Sequence, residues 1–326
     1  MIIEQLKQFG LLGKSGSNFP VWKKWEAVKN ATANKKFVIC NASEGEPMVN
    51  KDRFILDNWL KDVVDGIKLA IEETKASQGY VYLNADFYQR YKQNLIKLIG
   101  NSPIELFQKP AGYLAGEETS LLNAIEGKPP TPRIKPPYPT EQGLWNCPTL
   151  INNVETFYWI NKIAQDQYKN NRFYCIEGEI INKGVFELPL NYTIEQILKQ
   201  TKNYPNFPFF LQVGGGAVGE ILLENELQKP INGLASIIIF NKEKTNPVDL
   251  IKGWAEFLML QNCDHCTPCR EGLYRINEAL QQNQNNLTKE NLKGLQEIFN
   301  VLEKTSLCPF GKTAYLPFKT ALEKLF

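Results

Sequence analysis

The sequence predicts an α/β protein that begins with a parallel sheet and continues with a smaller α+β module and a helical C-terminal region. Three observations predict this order: strand-like and helix-like segments alternate in the first half, short β segments and turns dominate the middle, and helical spacing runs almost to the end. These changes place the domains at residues 1–170, 171–245 and 246–326. A chain of 326 residues is long enough for two or three domains.

The first half alternates between buried strands and amphipathic helices. Residues 36–41 and 79–83 are short apolar runs of the kind that form strands buried on both faces. Residues 56–74 and 91–98 carry apolar side chains at helical spacing. Strand–helix–strand alternation favours parallel strands joined by right-handed crossovers, so a parallel sheet is expected here.

The rest of the chain changes character twice. Residues 128–139 are rich in proline and cannot form a helix or a central strand, so they are expected to be a stiff, extended loop or a rigid linker. Residues 173–240 contain short β segments, a triple-glycine turn at 214–216 and one helix near 194–201. From Asp249 onward the spacing is helical, with loops at the cysteines.

Composition and charge argue against several classes of function. The formal net charge of +2 is too small to indicate a nucleic-acid partner. No run approaches the roughly 18 apolar residues of a membrane helix, and residues 1–9 predict an amphipathic helix rather than a signal peptide. A cytoplasmic protein without direct membrane insertion is therefore expected. The single histidine, His265, disfavours a Ser-His-Asp mechanism and a multi-histidine metal site.

Four cysteines are the strongest chemical signal. Cys263, Cys266 and Cys269 follow one another at three-residue intervals, and Cys308 comes after a further helical hairpin and precedes a proline. A C-x2-C-x2-C loop with one distant cysteine suits the corners of a [4Fe–4S] cluster. Structural zinc usually takes its ligands in two separated pairs, so zinc is the less favoured alternative. The pattern predicts electron transfer through a cluster, with His265 as a neighbour rather than a ligand.

Three further segments have the composition of ligand-binding loops. Residues 10–20 hold several glycines and could aim backbone N–H groups at a phosphate, although an ordinary surface turn has the same composition. Residues 41–47 follow a buried strand, which is where ligands of open α/β sheets bind. At residues 116–119, Glu117 and Glu118 suit either a binding site or the first turn of a helix.

The combination resembles the NADH-oxidising flavoprotein (51 kDa) subunit of respiratory complex I and the related diaphorase subunits of NAD-linked hydrogenases and formate dehydrogenases. The resemblance runs nearly end to end, and its most specific stretches are residues 41–47, 51–53, 112–119, 132–139, 152–156, 263–272 and 306–309. It implies FMN in a Rossmann-like domain, then a ubiquitin-like β-grasp module and a helical bundle with the [4Fe–4S] cluster. In that family NADH delivers a hydride to FMN, and single electrons then pass to the cluster.

The resemblance also implies roles for individual residues. Glu46 and Glu117 are the expected catalytic residues. The residues expected at the FMN phosphate are Gly13, Lys14, Gly16 and Lys24. Those expected around the ribityl chain and flavin ring are Asn41, Glu117 and Asn152, and those expected at NAD(H) are Phe19, Glu46, Lys135 and Tyr138. The cofactor-binding set is completed by Tyr113, Glu118 and Asn153.

Partners follow from the same resemblance. The sequence holds no second cluster motif, so electrons that leave the cluster must enter another chain. A thioredoxin-like [2Fe–2S] subunit and a larger iron–sulfur subunit are the expected partners. Through them the chain would lie at the inner face of the cell membrane without entering it.

The departures from the family pattern lie at the flavin site. Ser15, Asn18 and Trp22 replace glycines, and positive φ angles there would strain serine and tryptophan, while asparagine tolerates them. Ser43 replaces an aspartate near the flavin, and Ala27 replaces an aromatic residue near the dinucleotide. A second hypothesis is therefore a flavin-less, non-catalytic electron-relay or assembly subunit that retains the cluster.

Overall fold

The structure, a computed structural model, describes residues 2–282 and 289–326, and of residues 289–293 it describes the backbone only. Met1, the first residue of the predicted N-terminal helix, lies outside the described residues. Within these ranges, no helix combines the length and the apolarity that crossing a membrane requires.

A four-stranded parallel sheet forms the N-terminal part, as predicted. Its strands are β1 (Phe37–Ala42), β2 (Gln78–Leu83), β3 (Ile104–Gln108) and β4 (Thr149–Asn153), in the order β3-β2-β1-β4. The chain winds outward from β1 to β3 and then returns to the far side of β1, so the strand order reverses between β1 and β4. In open α/β sheets, ligands bind beyond the carboxyl ends of the strands at such a reversal.

Helices cover both faces of this sheet. They are α1 (Ile2–Gln8), α2 (Val21–Asn30), α3 (Lys51–Thr74), α4 (Ala85–Ile99), α5 (Ser120–Ile125), α6 (Pro139–Gln142) and α7 (Val154–Ala164). Successive side chains of a strand point to opposite faces. Accordingly, Val38 and Cys40 of β1 join the core beneath α2, α3 and α7, while Phe37 and Ile39 join a second core with α5.

Two residues of α3, Gly66 and Trp59, set how this helix packs against α7 and against the middle of the chain. Gly66 allows α3 to approach α7, because a Cβ atom at this position would overlap the backbone oxygen of Phe157. Trp59 interrupts α3 with a non-helical φ of −139°. Its ring lies 5.2 Å from Tyr158 and 5.5 Å from Phe173, which belongs to the next sheet.

The next part of the chain forms a mixed five-stranded sheet with one helix, in agreement with the β-grasp prediction. Its elements are β5 (Asn171–Gly178), β6 (Gly184–Pro189), α8 (Ile194–Gln200), β7 (Phe209–Val213), β8 (Glu220–Leu223) and β9 (Ser236–Asn241). The strand order is β6-β5-β9-β7-β8, with β5 and β9 parallel and the other pairs antiparallel. Thr193 and Gln196 form a capping box at the start of α8.

The described parts of the C-terminal region are helical, as predicted, and residues 283–288 of the predicted helical region lie outside the described residues. Its helices are α9 (Pro247–Gln261), α10 (Thr267–Gln282), α11 (Lys289–Thr305), α12 (Pro309–Thr313) and α13 (Leu316–Lys324). Helix α13 packs on β8, where Ile221 N–H donates to Thr320 Oγ1 (2.9 Å) and Lys324 Nζ lies 2.7 Å from Glu226 Oε1. The domain limits at residues 170/171 and 245/246 stay predictions.

Candidate functional site

Three asparagine side chains lie where the strand order reverses. Asn41 ends the pairing of β1 with β4 opposite Asn153, and Asn152 is the preceding residue of β4. Asn41 Nδ2 donates to the backbone oxygen of Gly116 at 2.9 Å. The Asn152 amide, oriented to satisfy both of its ends, accepts from Trp25 Nε1 at 3.1 Å. The amides predicted to hold the flavin and its ribityl chain therefore share one edge of the sheet.

The glycine loop is tethered to this edge. Asn153 caps α7 by accepting from the Thr156 backbone N–H at 3.2 Å and from the Thr156 hydroxyl at 2.5 Å. The same hydroxyl oxygen accepts from Lys14 N–H at 3.1 Å. Gly13 N–H donates to Phe19 O at 2.9 Å and closes the loop. Thr156 is a site residue that the sequence reasoning quoted only as part of a motif.

The backbone of the loop accommodates the departures from the family pattern. Gly16 has a φ of +107°, and Asn18 has a φ of +49°, which asparagine tolerates. Ser15 does not adopt a positive φ, and Trp22 lies in the first turn of α2. The strain expected at Ser15 and Trp22 is therefore absent. The Trp22 ring instead packs beneath the Lys7 ammonium group, at 5.0 Å.

Lys14 is a buried cation at the base of the loop, with only 2% of its surface exposed. Burial is the main reason that its pKa falls to about 8, and Arg172 and Lys51 lower it further while Glu155 opposes them. A buried ammonium group gains stability when an anion approaches it. The loop and Lys14 therefore fit the phosphate of FMN.

Lys24 lies in a separate group of ion pairs with the acidic turn and the proline-rich loop. Its Nζ lies 3.1 Å from Glu118 Oε2, and Lys135 Nζ lies 2.8 Å from Glu118 Oε1 and 3.3 Å from Glu117 Oε1. Burial would raise the pKa of Glu118, but Lys24 and Lys135 together outweigh it and the pKa falls below its usual range. Four predicted site residues are therefore brought together.

Glu117 also serves the structural role that the sequence left open. Its Oε2 atom accepts from the backbone N–H groups of Thr119 (2.8 Å) and Ser120 (2.9 Å) at the start of α5. Its Oε1 atom faces Lys135 at the same time. The same carboxylate therefore caps a helix and lines the candidate site.

The proline-rich loop carries Lys135 into this group. Its residues before α6 form neither helix nor strand, as predicted, and Arg133 anchors them by hydrogen bonds to Asn123 Oδ1 and Gly143 O, both 2.9 Å. Tyr138 precedes α6 and is 53% exposed. Among the described residues, no hydrogen bond, ion pair or ring contact joins Tyr138 to the ion pairs of Lys135.

Phe19 lies beside Lys24 of this group. Its ring is 44% exposed, and Lys24 Nζ lies 5.9 Å from the ring centroid. An exposed aromatic face beside a lysine suits a planar, negatively charged ligand. Phe19 is thus near Lys24, whereas no described hydrogen bond, ion pair or ring contact joins Tyr138 to this group.

Glu46 is held by the second sheet, which the sequence reasoning did not anticipate. Its Oε1 atom accepts from Ala217 N–H at 2.8 Å, and Tyr113 OH donates to its Oε2 atom at 2.5 Å. The N–H groups of Gly216 and Val218 also face the carboxylate. Burial raises its pKa, and these donors partly offset that effect. The loop between β7 and β8 therefore forms one wall of the candidate dinucleotide site.

The four predicted cluster ligands meet in the core of the helical region. Cys269 and Cys308 are each 6% exposed, and Cys263 and Cys266 are half-buried against the same core. Burial raises the pKa of Cys269, and the other three thiols raise it further. Among the side chains of residues 2–282 and 294–326, no three histidine, cysteine or acidic groups are placed as a site for a single metal ion.

Two backbone N–H groups lie beside the sulfur of Cys308. Burial raises the pKa of this thiol, while the N–H groups of Phe310 and Gly311, which face the sulfur, partly offset that effect. Such N–H donors stabilise the charged sulfur of an iron–sulfur ligand. Four neighbouring thiols in one core, with N–H groups beside one of them, fit a [4Fe–4S] cluster.

A buried ion network behind the glycine loop was missed by sequence reasoning. Lys51 Nζ lies 2.6 Å from Asp52 Oδ1 and 3.3 Å from Glu155 Oε2, and all three residues are buried. Glu155 Oε1 also accepts from Phe173 N–H at 3.0 Å, which joins α7 to β5. These residues belong to motifs quoted above, but residue types alone do not reveal that their charges are buried together.

Two protein-family models match most of the chain. A model described as the Nuo51 FMN-binding domain matches residues 6–162. A model described as the NADH-ubiquinone oxidoreductase-F iron–sulfur binding region matches residues 249–325. The first match contains Asn41, Asn152 and Asn153, at the edge of the sheet where the strand order reverses. The second contains all four predicted cluster cysteines.

Curated relatives and solved structures agree with these matches. The F subunit of NADH-quinone oxidoreductase from Buchnera aphidicola subsp. Acyrthosiphon pisum is 30% identical over 99% of this chain and 82% of its own length. The HndC subunit of the NADP-reducing hydrogenase from Solidesulfovibrio fructosivorans is 28% identical over 99% and 74%. A chain in a crystal structure of H2-reduced NAD+-reducing [NiFe]-hydrogenase matches with a TM-score of 0.91 and 25% identity; the match covers 99% of this chain but 61% of that one.

Proposed function

The chain belongs to the family of the NADH-quinone oxidoreductase F subunits, and from that premise we propose that it is the NADH-oxidising subunit of a larger electron-transfer complex. When bound, FMN takes two electrons from NADH as a hydride, and the [4Fe–4S] cluster carries electrons onward one at a time. The observation that carries the proposal is that one chain holds two sites. One has asparagine amides and a buried lysine where the strand order of the first sheet reverses, and the other is a group of four thiols.

At the flavin end, this chain's residues bind and orient. The N–H groups of the loop from Gly13 to Gly16 and the Lys14 ammonium group would hold the phosphate. Asn41 and Asn152 would hold the ribityl chain and the ring by exchanging their present hydrogen bonds. Thr156 of helix α7 keeps the loop in place, because its hydroxyl group accepts from Lys14 N–H and donates to the capping side chain of Asn153.

At the dinucleotide end, binding would exchange existing ion pairs. Lys135 is paired with Glu118 at 2.8 Å, and a pyrophosphate would compete for this lysine. Phe19 and Tyr138 offer exposed rings on which the adenine or nicotinamide could stack. Glu46 would orient the nicotinamide end while remaining anchored to Ala217 N–H.

Electrons must then leave the chain through partners. Two of the curated relatives are named as subunits of a quinone oxidoreductase and of a hydrogenase, which supports assignment to a multi-subunit complex. The partners that suit this chemistry are a thioredoxin-like [2Fe–2S] subunit and a larger iron–sulfur subunit. The proposed place of the assembly is the cytoplasm, peripheral to the inner face of the membrane through these partners.

Anaerobic purification and reconstitution test the proposal directly. Bound FMN, about four irons per chain and NADH-dependent reduction of ferricyanide are expected together. Iron without releasable flavin would favour the non-catalytic relay or assembly subunit, and zinc without iron would favour a structural metal site. Cys266→Ser is the matched control, because it should remove the cluster and leave flavin binding intact.

A further inference from the structure

Tyr113 is attached to the segment that carries the first cluster cysteine. Its backbone N–H donates to Gln261 Oε1 at 2.8 Å. Gln261 is the last residue of α9, two residues before Cys263. The Tyr113 ring also meets Phe257 of the same helix edge-on, with centroids 5.5 Å apart and planes at 75°. The loop at 112–116 is thus bound to the end of α9.

Tyr113 is also attached to the segment that carries the last cluster cysteine. Its ring centroid lies 5.9 Å from that of Phe310. Phe310 follows Cys308 by two residues, and its backbone N–H faces the Cys308 sulfur. A shift of the Tyr113 ring would therefore move a residue that contacts a cluster ligand directly.

The other end of Tyr113 points to the nucleotide side. Its hydroxyl donates to Glu46 Oε2 at 2.5 Å, and Glu46 Oε1 is held by Ala217 of the second sheet. The Tyr113 ring packs against the same apolar core as the cluster cysteines. This tyrosine therefore contacts the N-terminal part and the helical part of the chain directly, and it reaches the second sheet through Glu46.

We propose that Tyr113 is a positioning residue that sets the four-thiol group in place relative to the flavin edge, with its hydroxyl orienting Glu46 and its ring and N–H holding the two cysteine-bearing segments. The inference rests on the proposed function. Transfer between two redox groups depends on their separation and alignment, and a misplacement of about 1 Å in an active site can cost about a hundredfold in rate.

Two substitutions separate the two attachments. Tyr113→Phe keeps the ring and the N–H but removes the hydrogen bond to Glu46. We expect the KM for NADH to rise about tenfold, the cost of one hydrogen bond to a charged group, with an unchanged cluster EPR spectrum. Tyr113→Leu removes the ring as well. In this variant we expect an altered cluster EPR spectrum, a shifted cluster reduction potential and at least about tenfold slower reduction of the cluster by NADH in stopped-flow measurements.

Tyr82 offers a matched control on the same loop. Its hydroxyl donates to Ala115 O at 2.9 Å, and its ring stacks on Phe107, away from the cysteine-bearing segments. Tyr82→Leu therefore removes a buried tyrosine of equal size that is bound to residues 112–116. We expect the EPR spectrum and the potential of the cluster to stay at wild-type values. The same changes in Tyr82→Leu as in Tyr113→Leu would overturn the proposal, since they would reflect general loosening of the loop.

Further outcomes are decisive. A wild-type protein without flavin or iron would reject the proposed function itself, before any variant is compared. A wild-type protein that holds both, with Tyr113→Leu matching it in cluster EPR spectrum and reduction rate, would reject only the role of Tyr113. If Tyr113→Leu purifies without its cluster, Gln261→Leu removes the acceptor of the Tyr113 N–H alone. An altered cluster EPR spectrum in that variant supports the proposal, and a wild-type spectrum overturns it.

Discussion

The nucleotide edge and the four-thiol group differ in how their polar groups are satisfied by the chain itself. At the nucleotide edge, opposite charges already pair: Lys24 and Lys135 both lie within 3.1 Å of Glu118 oxygens. In the four-thiol group, by contrast, groups of the same kind lie together: burial raises the pKa of Cys269, and the neighbouring thiols raise it further. The thiolates that a cluster requires are therefore disfavoured until iron supplies the opposite charge.

This difference predicts unequal dependence on the two cofactors. At the nucleotide edge, a ligand exchanges one set of partners for another, so the loops hold their places through their own hydrogen bonds. In the helical region, metal binding adds free energy that the protein alone does not have. Loss of the cluster should therefore loosen the region around it, whereas loss of FMN should leave the first sheet largely intact.

The largest expected effect is the loss of the cluster in Cys266→Ser. A [4Fe–4S] cluster takes four thiolates, so we expect its absorbance near 400 nm to disappear and proteolysis of the C-terminal helices to accelerate. Cys147→Ser is the control, because Cys147 is a half-buried loop cysteine outside the four-thiol group. Equal rates of proteolysis in the two variants would contradict the expected dependence of the helical region on its cluster.

A large loss of stability is expected in Lys51→Met. The substitution leaves the buried carboxylates of Asp52 and Glu155 without their partner, which typically costs about 3–5 kcal/mol of unfolding free energy. Urea denaturation measures it. Lys61→Met is the matched control, since Lys61 pairs with Asp65 on the exposed surface of the same helix and should change little. Similar losses in both would contradict the buried network.

A smaller effect is expected in Glu46→Gln. The amide oxygen can still accept from Ala217 N–H, so the fold should persist, but the negative charge that we propose faces the nicotinamide end is lost. We expect NADH affinity to fall about tenfold, or about 1.4 kcal/mol, by titration calorimetry. Glu72→Gln, at an exposed position of helix α3, serves as the control. Wild-type NADH affinity in Glu46→Gln would remove Glu46 from the dinucleotide site.

The smallest effect concerns the pH dependence of FMN binding. The pKa of Lys14 is about 8 in the free protein, and a bound phosphate raises it, so binding takes up a proton once the pH exceeds 8. Affinity therefore falls as the pH rises through 8, by about threefold between pH 7.5 and 8.5. Flavin fluorescence quenching measures it. In Lys14→Met, binding should be weaker and this step should vanish; a step of equal size would assign it to another group.

Sequence reasoning found elements with strong apolar patterns and missed those without them. Strands β1 and β2 lie within one residue of their predicted limits, because apolar runs of this length suit only a buried strand or a buried helix segment. Strand β4 was missed, since Thr149–Asn153 ends in two asparagines and resembles a loop. Those asparagines are polar but buried, because they belong to a strand that is paired with β1 inside the fold.

The sequence alone determined the order of the folding units and predicted the four cluster ligands. Three of the four cysteines lie within seven residues, so their approach requires only a loop, and apolar periodicity reports which face of each element is buried. The tertiary structure alone decided that Glu46 is held by Ala217, that Lys14 is buried beside Glu155 and that Trp22 is unstrained. The Glu46 and Lys14 contacts join residues more than 100 positions apart, and no local pattern encodes which distant surfaces pack together.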